Sequence, residues 1–268
     1  MTNFIEYIDF YGLKLSIIQK NVLLDYICNV VDKENKIVIY GYSLGSFRML
    51  KKFTIMYSFA WDKADVMLVD GRGLFLIGKL LGFPFKDDLS IPQLSQEILR
   101  IADVMHYSIL FLGATADINA KATYNTRKKY KNLKVFNGID GFFKTEEEEA
   151  LVKQINSIKP NILFIGISSP KKEEFVNRWK DSFNVNIILL CGGVIDIIAG
   201  DKKQTPNWLK KFGGASIYRF IQEPKRLYRY FFPFIGFMLF NFLPVLIFKV
   251  LILRDKNFSI PNYYGLKR

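Results

Sequence analysis

The chain has 268 residues, of which 50% are hydrophobic and 24% are charged. This composition excludes a disordered chain and is enough to build a substantial core. Two cysteines, Cys28 and Cys191, and one histidine, His106, are too few for a disulfide framework or a metal cluster of those ligands. We therefore expect a reducing compartment, no bound metal and no cofactor. The N-terminal residues include Glu6 and Asp9 and lack the pattern of a signal peptide, so none is expected.

Short apolar runs alternate with segments of helical periodicity along most of the chain. The runs predict strands at residues 37–40, 66–69, 108–112, 134–136, 161–165 and 187–190. The periodic segments predict helices at residues 21–31, 46–59, 74–81, 92–105, 117–130 and 145–158. Strands that alternate with helices predict an α/β fold, with a doubly wound and mainly parallel sheet of the Rossmann-like type.

The composition changes near Pro224, which predicts an α/β domain at residues 1–221 and a membrane-associating helical appendage at residues 222–268. The formal net charge is +13, and residues 201–230 hold eight basic side chains against two acidic ones. The basic ones are Lys202, Lys203, Lys210, Lys211, Arg219, Lys225, Arg226 and Arg229. An apolar run follows at residues 231–253. A basic cluster beside such a run indicates an anionic membrane surface as partner, and no nucleic acid.

This apolar run is long enough to cross about 30 Å of hydrocarbon. Pro233, Gly236 and Pro244 interrupt it, which equally suits a re-entrant helix or one that lies in the membrane plane. Basic residues stand on both sides, so the charge pattern indicates no orientation. The sequence leaves open both the choice between these arrangements and whether the protein forms a homo-oligomer.

The stretch Asp70-Gly71-Arg72-Gly73 joins a predicted apolar strand directly to a predicted helix. In an open α/β sheet, ligands bind outside the carboxyl ends of the strands. Asp70 is therefore the first candidate for a catalytic residue. The alternative is that Asp70 only caps the helix that follows.

Two further loops follow predicted strands. The first runs from Gly166 to Glu173 and leads into a helix whose free N–H groups, together with Lys171 and Lys172, would suit a phosphate. The second, residues 192–200, contains glycines that would let the backbone approach a ligand, and Asp196. With the Asp70 turn, these loops predict an anion-binding crevice for a nucleotide-linked substrate.

Gly41-Tyr42-Ser43-Leu44-Gly45 has the G-x-S-x-G spacing of a serine hydrolase nucleophile and lies between a predicted strand and helix. Such an enzyme needs a histidine base, and His106 is the single histidine. It precedes the last strands, where that fold would not place the base. A hydrolase that uses Ser43 remains a remote alternative.

The chain resembles the bacterial WecG/TagA/CpsF glycosyltransferases across residues 13–230. The resemblance depends on ADVMLVDGRG, FLGATADINAKA, NGIDGFF, KPNILFIGISSPKKEEF, CGGVIDIIAG and PNWLKKFGGASIYRFIQEPKRLYRY. It implies transfer of an N-acetylmannosamine-type sugar from a UDP-sugar to a polyprenyl-diphosphate-linked acceptor. It also implies that the protein acts at the cytoplasmic face of the bacterial cell membrane, in the synthesis of a cell-surface polysaccharide.

The resemblance also implies roles for individual residues. Asp70 matches the aspartate proposed as the base in an inverting, single-displacement transfer, and Asp196 matches one that looks like part of the nucleotide pocket. Arg219, Arg226 and Arg229 match basic positions thought to meet the lipid diphosphate, and Lys225 stands among them. With the loops above, the predicted substrate-binding and nucleotide-binding residues are Tyr42, Gly71, Gly166, Pro170, Lys172, Glu173, Gly192, Gly193 and Asp196.

The chain also departs from the family pattern at several positions near this pocket. Tyr40-Gly41-Tyr42 replaces a Thr-x-Asn pair, and Lys172 replaces a glutamine. Asp88 replaces an arginine, and Ala215-Ser216 replaces Glu-Trp. These departures leave a non-catalytic or accessory membrane protein of the same fold as the alternative.

Overall fold

The computed structural model describes residues 5–202, 218, 232–255 and 257–266. An antiparallel hairpin at the N-terminus consists of β1 (Glu6–Phe10) and β2 (Leu13–Ile17). The main sheet consists of β3 (Ile37–Tyr42), β4 (Val66–Val69), β5 (Ser108–Gly113), β6 (Lys134–Val135), β7 (Ile162–Gly166) and β8 (Ile187–Leu190). Its strand order is β4-β3-β8-β7-β5-β6, and every pairing in it is parallel. The predicted parallel sheet is confirmed.

Helices follow most strands and cover both faces of the sheet. They are α1 (Lys20–Asp32), α2 (Leu44–Lys52), α3 (Ile55–Asp62), α4 (Arg72–Leu80), α5 (Ile91–Val104), α6 (Ala116–Lys129), α7 (Glu148–Ile158), α8 (Lys171–Trp179) and α9 (Val194–Ala199). Side chains alternate along each strand, so that Val38 and Tyr40 enter one core while Ile37 and Ile39 enter the other. The first core holds α2, α3, α4, α7 and α8, and the second holds α1, α5, α6 and α9. The doubly wound arrangement is therefore confirmed as well.

The helix predicted at residues 46–59 is two helices, because the chain is extended at Phe53. In one continuous helix, Met56 and Phe59 would face away from Phe47 and Leu50 at 100° per residue. The break allows all four side chains to be buried in the same core. Tertiary packing therefore overrides the local helical pattern.

A C-terminal helix, α10 (Phe232–Ile252), packs against this first core. It contains two stretches of wider π-helical turns, Met238–Phe242 and Ile247–Ile252. One stripe of it is buried, and the Phe242 ring stacks on Phe47 of α2 at 4.8 Å between ring centroids. The short helix α11 (Ile260–Tyr264) contacts α10, since Tyr264 Oη donates a hydrogen bond to Asn241 Oδ1 over 2.9 Å. The predicted domain boundary near residue 222 lies outside the described residues.

Candidate active site

The carboxyl ends of four adjacent strands, β4, β3, β8 and β7, form one edge of the sheet. Asp70 follows β4, Gly192 lies just beyond the end of β8, and Gly166 ends β7. Neighbouring strands are about 4.8 Å apart, so β4 and β8 are separated by about 10 Å. The three loops predicted to form a crevice therefore begin at the same edge, and the outer two, after β4 and β7, are about 14 Å apart.

Asp70 is half-buried, and both its backbone and its side chain form hydrogen bonds. Its backbone N–H donates to the Tyr42 carbonyl over 2.8 Å, and its Oδ1 accepts the backbone N–H of Ile91 over 2.9 Å. Ile91 is the first residue of α5, so the carboxylate lies at the positive end of that helix dipole. Asp70 thus does bond to a helix N-terminus, but the helix is α5 rather than α4, which follows it directly.

Gly71 explains how the chain turns after Asp70. Its φ of +94° lies in a region that residues with a side chain rarely adopt, and α4 begins at the next residue. Arg72 Nη1 then forms a 3.2 Å ion pair with Asp88 Oδ2 on the connection to α5. Asp88 stands where the family pattern has an arginine. Its ion pair with Arg72 therefore connects the Asp70 turn to the segment before α5, the helix whose first N–H bonds to Asp70.

A buried carboxylate lies beneath the β7–α8 loop. Glu173 is fully buried, and its Oε1 accepts hydrogen bonds from Tyr40 Oη over 2.8 Å and Ser169 Oγ over 2.7 Å. Lys172 Nζ is 3.7 Å from the same oxygen and 5.4 Å from the centre of the Tyr40 ring. Burial, aided by Glu173, raises the pKa of Tyr40 well above its usual range, so Tyr40 remains a hydrogen-bond donor. The two departures from the family pattern, Tyr40 and Lys172, thus contact one carboxylate.

The Tyr42 side chain is also inaccessible to a ligand. It is fully buried, and its hydroxyl donates to the Met56 carbonyl over 2.9 Å. Only its backbone adjoins Asp70. The position of Tyr42 therefore does not support its prediction as a nucleotide-binding side chain.

The predicted glycines divide into two kinds. A Cβ atom on Gly166 would lie 2.5 Å from Ile195 Cδ1, so this glycine allows α9 to pack closely on β7. Among the described residues, a Cβ atom on Gly192 would meet nothing within 4 Å, and one on Gly193 would approach only Asp196 Oδ2, at 3.7 Å. Gly192 and Gly193 therefore face open space, as the approach of a ligand requires.

Asp196 and the start of α8 complete the predicted residues at this edge. Asp196 Oδ1 forms a 2.9 Å ion pair with Lys202 Nζ and is mostly buried. Pro170 follows a cis peptide bond and immediately precedes α8. Lys171 does not extend into the crevice, because its ammonium group donates to the carbonyls of Gly141 and Phe143. Arg219, Lys225, Arg226 and Arg229 lie outside the described residues.

The hydrolase alternative is wrong. Ser43 Oγ is 3.3 Å from Ser46 Oγ in a capping box that opens α2, at the carboxyl edge of the sheet. His106 lies in the α5–β5 connection, which enters the opposite edge of the parallel sheet. The serine therefore caps a helix and has no histidine beside it.

Sequence reasoning missed a basic cleft next to this edge. The cleft has a volume of about 570 Å³ and is lined by Arg48, Met49, Lys51, Lys52, Phe53, Ser169 and Phe237. The i, i+3 and i+4 spacing of Arg48, Lys51 and Lys52 was a usable signal, but the larger charge cluster at residues 201–230 drew attention away from it. Across the described residues, no group of three His, Cys, Asp or Glu side chains is arranged to hold a metal ion.

Comparison with known proteins identifies the family. The sequence profile of the glycosyl transferase WecG/TagA/CpsF family matches residues 8–247. Two similar proteins are the N-acetylglucosaminyldiphosphoundecaprenol N-acetyl-beta-D-mannosaminyltransferases of Staphylococcus aureus strains MRSA252 and NCTC 8325. Each is 30% identical to this chain over 168 residues, which is 63% of this chain and 65% of the relative, slightly less than two thirds of its length. The chain belongs to the WecG/TagA/CpsF glycosyl transferase family.

Proposed function

We propose that the protein is an inverting glycosyltransferase of cell-surface polysaccharide synthesis. It moves an N-acetylmannosamine-type sugar, or a related hexose, from a UDP-sugar to a polyprenyl-diphosphate-linked acceptor. The family match supports the reaction class, and the name of the staphylococcal relatives supports an acceptor of the N-acetylglucosaminyl-diphosphoundecaprenol type. The observation that carries the proposal is the position of Asp70, held at the carboxyl edge of the sheet by Ile91.

In this reaction Asp70 is the general base. The acceptor hydroxyl attacks the anomeric carbon of the donor as Asp70 takes its proton, and the bond to the nucleoside diphosphate breaks on the opposite face. One displacement inverts the configuration at that carbon. The leaving diphosphate needs hydrogen-bond donors, and the space beside Gly193 would let it approach the backbone there. Asp196, ion-paired to Lys202, belongs to the wall of this pocket.

The enzyme works at the cytoplasmic face of the membrane, with α10 lying in the membrane plane. The buried stripe of α10, formed by Met238, Phe242 and Leu246, contacts the protein core. Its other side exposes large apolar side chains: Phe232, Leu239, Phe240, Ile247, Phe248, Leu251 and Ile252. A helix across the bilayer would have to leave the core, whereas one in the plane keeps both contacts. By length and hydropathy alone, α10 could also cross a membrane.

A specific observation favours the second candidate, an accessory protein without activity. Tyr40 fills the space next to Glu173, at a position where the family pattern has the smaller threonine. A pocket narrowed in this way could fail to bind the donor.

Titration of the full-length protein in neutral detergent with UDP and several UDP-sugars separates the two candidates. An enzyme binds UDP and releases it from one UDP-sugar only when a lipid-linked acceptor is present. A protein that binds neither UDP nor any UDP-sugar is an accessory protein, and the proposed function is then wrong.

A further inference from the structure

The cleft at the end of α2 suggests how the enzyme holds its acceptor. We propose that Arg48, Lys51 and Lys52 bind the diphosphate of the lipid-linked acceptor where it leaves the membrane. This inference depends on the proposed function for the identity of the ligand. It assigns a role to three residues inside the described fold, separate from the arginines at residues 219–229.

The first argument is electrostatic. Arg48, Lys51 and Lys52 are spaced i, i+3 and i+4, so they share one face of α2 and repel one another. Among the described residues, none of the three forms an ion pair with a carboxylate. Lys51 Nζ and Lys52 Nζ lie over the rings of Tyr264 and Phe53 instead, at 5.6 and 5.1 Å from the ring centres. The helix dipole accounts for lysines in the last turn of α2. It does not account for a third cation in a concave site whose described lining residues include no carboxylate.

The second argument is the position of the cleft between two kinds of surface. Ser169 lines one side of the cleft, and its hydroxyl donates a hydrogen bond to Glu173. Glu173 also accepts a hydrogen bond from Tyr40. The next residue, Gly41, lies against Asp70, so this side of the cleft adjoins the proposed catalytic residue. On the other side it is closed by Phe237 of α10, the helix with the exposed apolar face.

Of the two proposed substrates, only the lipid-linked acceptor has groups that match both sides of the cleft. A lipid-linked acceptor carries two phosphates between its sugar and a long hydrocarbon chain, so its phosphates could lie on the cations while the chain follows α10. The UDP-sugar has no hydrocarbon to place against Phe237. The cleft volume of about 570 Å³ is sufficient for a diphosphate with the first units of its chain.

The test compares two triple variants in neutral detergent. Arg48→Gln, Lys51→Gln and Lys52→Gln together remove the three cations of the cleft. Lys121→Gln, Lys128→Gln and Lys131→Gln remove the same charge from exposed positions on and just after α6, on the opposite face of the sheet. We expect the cleft variant to raise the KM for the lipid-linked acceptor by about 10-fold or more, as the loss of charge-assisted hydrogen bonds predicts. The KM for the donor should stay within about 2-fold, and the control variant should match wild type.

Binding of farnesyl diphosphate, measured by calorimetry, tests the cleft without any turnover. Wild type and the α6 variant should bind this probe, and the cleft variant should bind it at least about 10-fold more weakly. If wild type transfers no sugar yet shows this binding pattern, the proposed function fails while the cleft assignment stands. Equal binding by the cleft variant would overturn the inference.

Vesicles distinguish the acceptor from ordinary lipid headgroups. Phosphatidylglycerol and phosphatidylcholine vesicles are compared by co-sedimentation with each variant. If the cleft variant loses its preference for phosphatidylglycerol but still binds farnesyl diphosphate as wild type does, the cleft holds headgroups and the inference is wrong. If farnesyl diphosphate binding is lost and the vesicle preference equals that of the α6 variant, the inference is supported.

Discussion

Asp70 has a structural bond and a proposed chemical role, and two substitutions separate them. Asp70→Asn keeps an oxygen that can accept the Ile91 N–H but cannot take a proton at neutral pH. We expect its melting temperature to stay within a few degrees of wild type and its turnover to fall about 10²-fold or more. Asp70→Ala should lose the same activity and also about 1 kcal/mol of unfolding free energy, because the Ile91 N–H at the start of α5 loses its acceptor. Wild-type turnover in Asp70→Asn would show that another group is the base.

Glu148 offers a test of stability at a position away from the site. Its carboxylate is buried, and it accepts hydrogen bonds from Arg178 Nη2 over 2.6 Å and Trp179 Nε1 over 2.7 Å, which join α7 to α8. Burial alone would raise the pKa of Glu148, but the bonds from Arg178 and Trp179 outweigh it and hold that pKa below the usual range. Glu148→Gln should lower the free energy of unfolding by about 2 kcal/mol. The loss is smaller than for a fully buried ion pair because Arg178 is partly solvated.

The pH dependence of this difference follows from the lowered pKa. A carboxylate whose pKa is lowered by folding stabilises the protein above its unfolded pKa of about 4.3. That contribution disappears as the pH falls through the lower folded pKa. Denaturant titrations should therefore show a constant advantage of wild type over Glu148→Gln above about pH 5 and a shrinking one below pH 4. Glu149→Gln is the control, since Glu149 is exposed and forms an ion pair with Lys153 on its own helix. An equal loss in both variants would contradict the prediction.

The sequence predicted Asp70 as a site residue, but it did not predict that Tyr40 and Lys172, which depart from the family pattern, contact the same carboxylate. A carboxylate at the end of an apolar strand can be recognised from local pattern, because strand ends are marked by the chain itself. The contact of Tyr40 and Lys172 through Glu173 depends on how β3 packs against α8, and these elements are 133 residues apart at that hydrogen bond. The burial of the Tyr42 side chain could not be predicted for the same reason. Which face of β3 is covered by α3 cannot be read from the strand alone.

At the scale of elements, β4, β5, β7 and β8 were predicted well because each is a mostly apolar run buried on both faces. The N-terminal hairpin was not predicted. β1 is mostly exposed and mixes polar with apolar residues, so it has little pattern of its own. The position of the hairpin depends on tertiary contacts, such as the hydrogen bond that Met67 N–H of β4 donates to Ser16 Oγ of β2 over 2.9 Å.

Gly166 at the end of β7 and Gly193 in the loop after β8 allow a packing glycine to be distinguished from a ligand-binding one. Gly166→Ala should destabilise the protein by about 1–3 kcal/mol, because its Cβ would push against Ile195 and displace α9. Gly193→Ala places its Cβ in open space, so its stability should change little. If the loop approaches the nucleotide, Gly193→Ala should bind UDP several-fold more weakly in calorimetry. Unchanged UDP affinity in this variant would exclude the loop from the nucleotide pocket.

For the molecule as a whole, the main question is how α10 divides into a buried face and an exposed apolar face. A sequence can reveal an apolar segment of this length, but the same composition fits a core helix and a membrane helix. The structure shows features of both, with the Phe242 ring stacked on Phe47 and Phe240 85% exposed. The division into two faces depends on α2 and α11, which no local pattern connects to α10.

The two faces predict opposite effects for substitutions only two residues apart. Phe240→Ser, with Phe248→Ser and Leu251→Ser, changes exposed side chains and should leave the melting temperature at or above that of wild type. Each of these side chains contributes up to about 1.5–3 kcal/mol when it is buried in an apolar phase. Even partial insertion predicts at least a 10-fold loss of binding to phosphatidylglycerol vesicles. Phe242→Ala should do the reverse, lowering the unfolding free energy by about 3 kcal/mol because it leaves a cavity beside Phe47 while the exposed face stays intact.

Truncation after residue 230 extends this test to the intact chain. Composition alone would predict that the shortened protein is a soluble domain which still binds UDP. The packing predicts otherwise, since removal of α10 and α11 uncovers Phe47, Leu50 and Tyr11 at the first core. We expect the truncated protein to aggregate unless detergent is present, and the triple variant of the exposed face to stay monodisperse without it. If the truncated domain is soluble, melts as wild type does and has lost only its vesicle binding, then α10 contributes nothing to the core and serves the membrane alone.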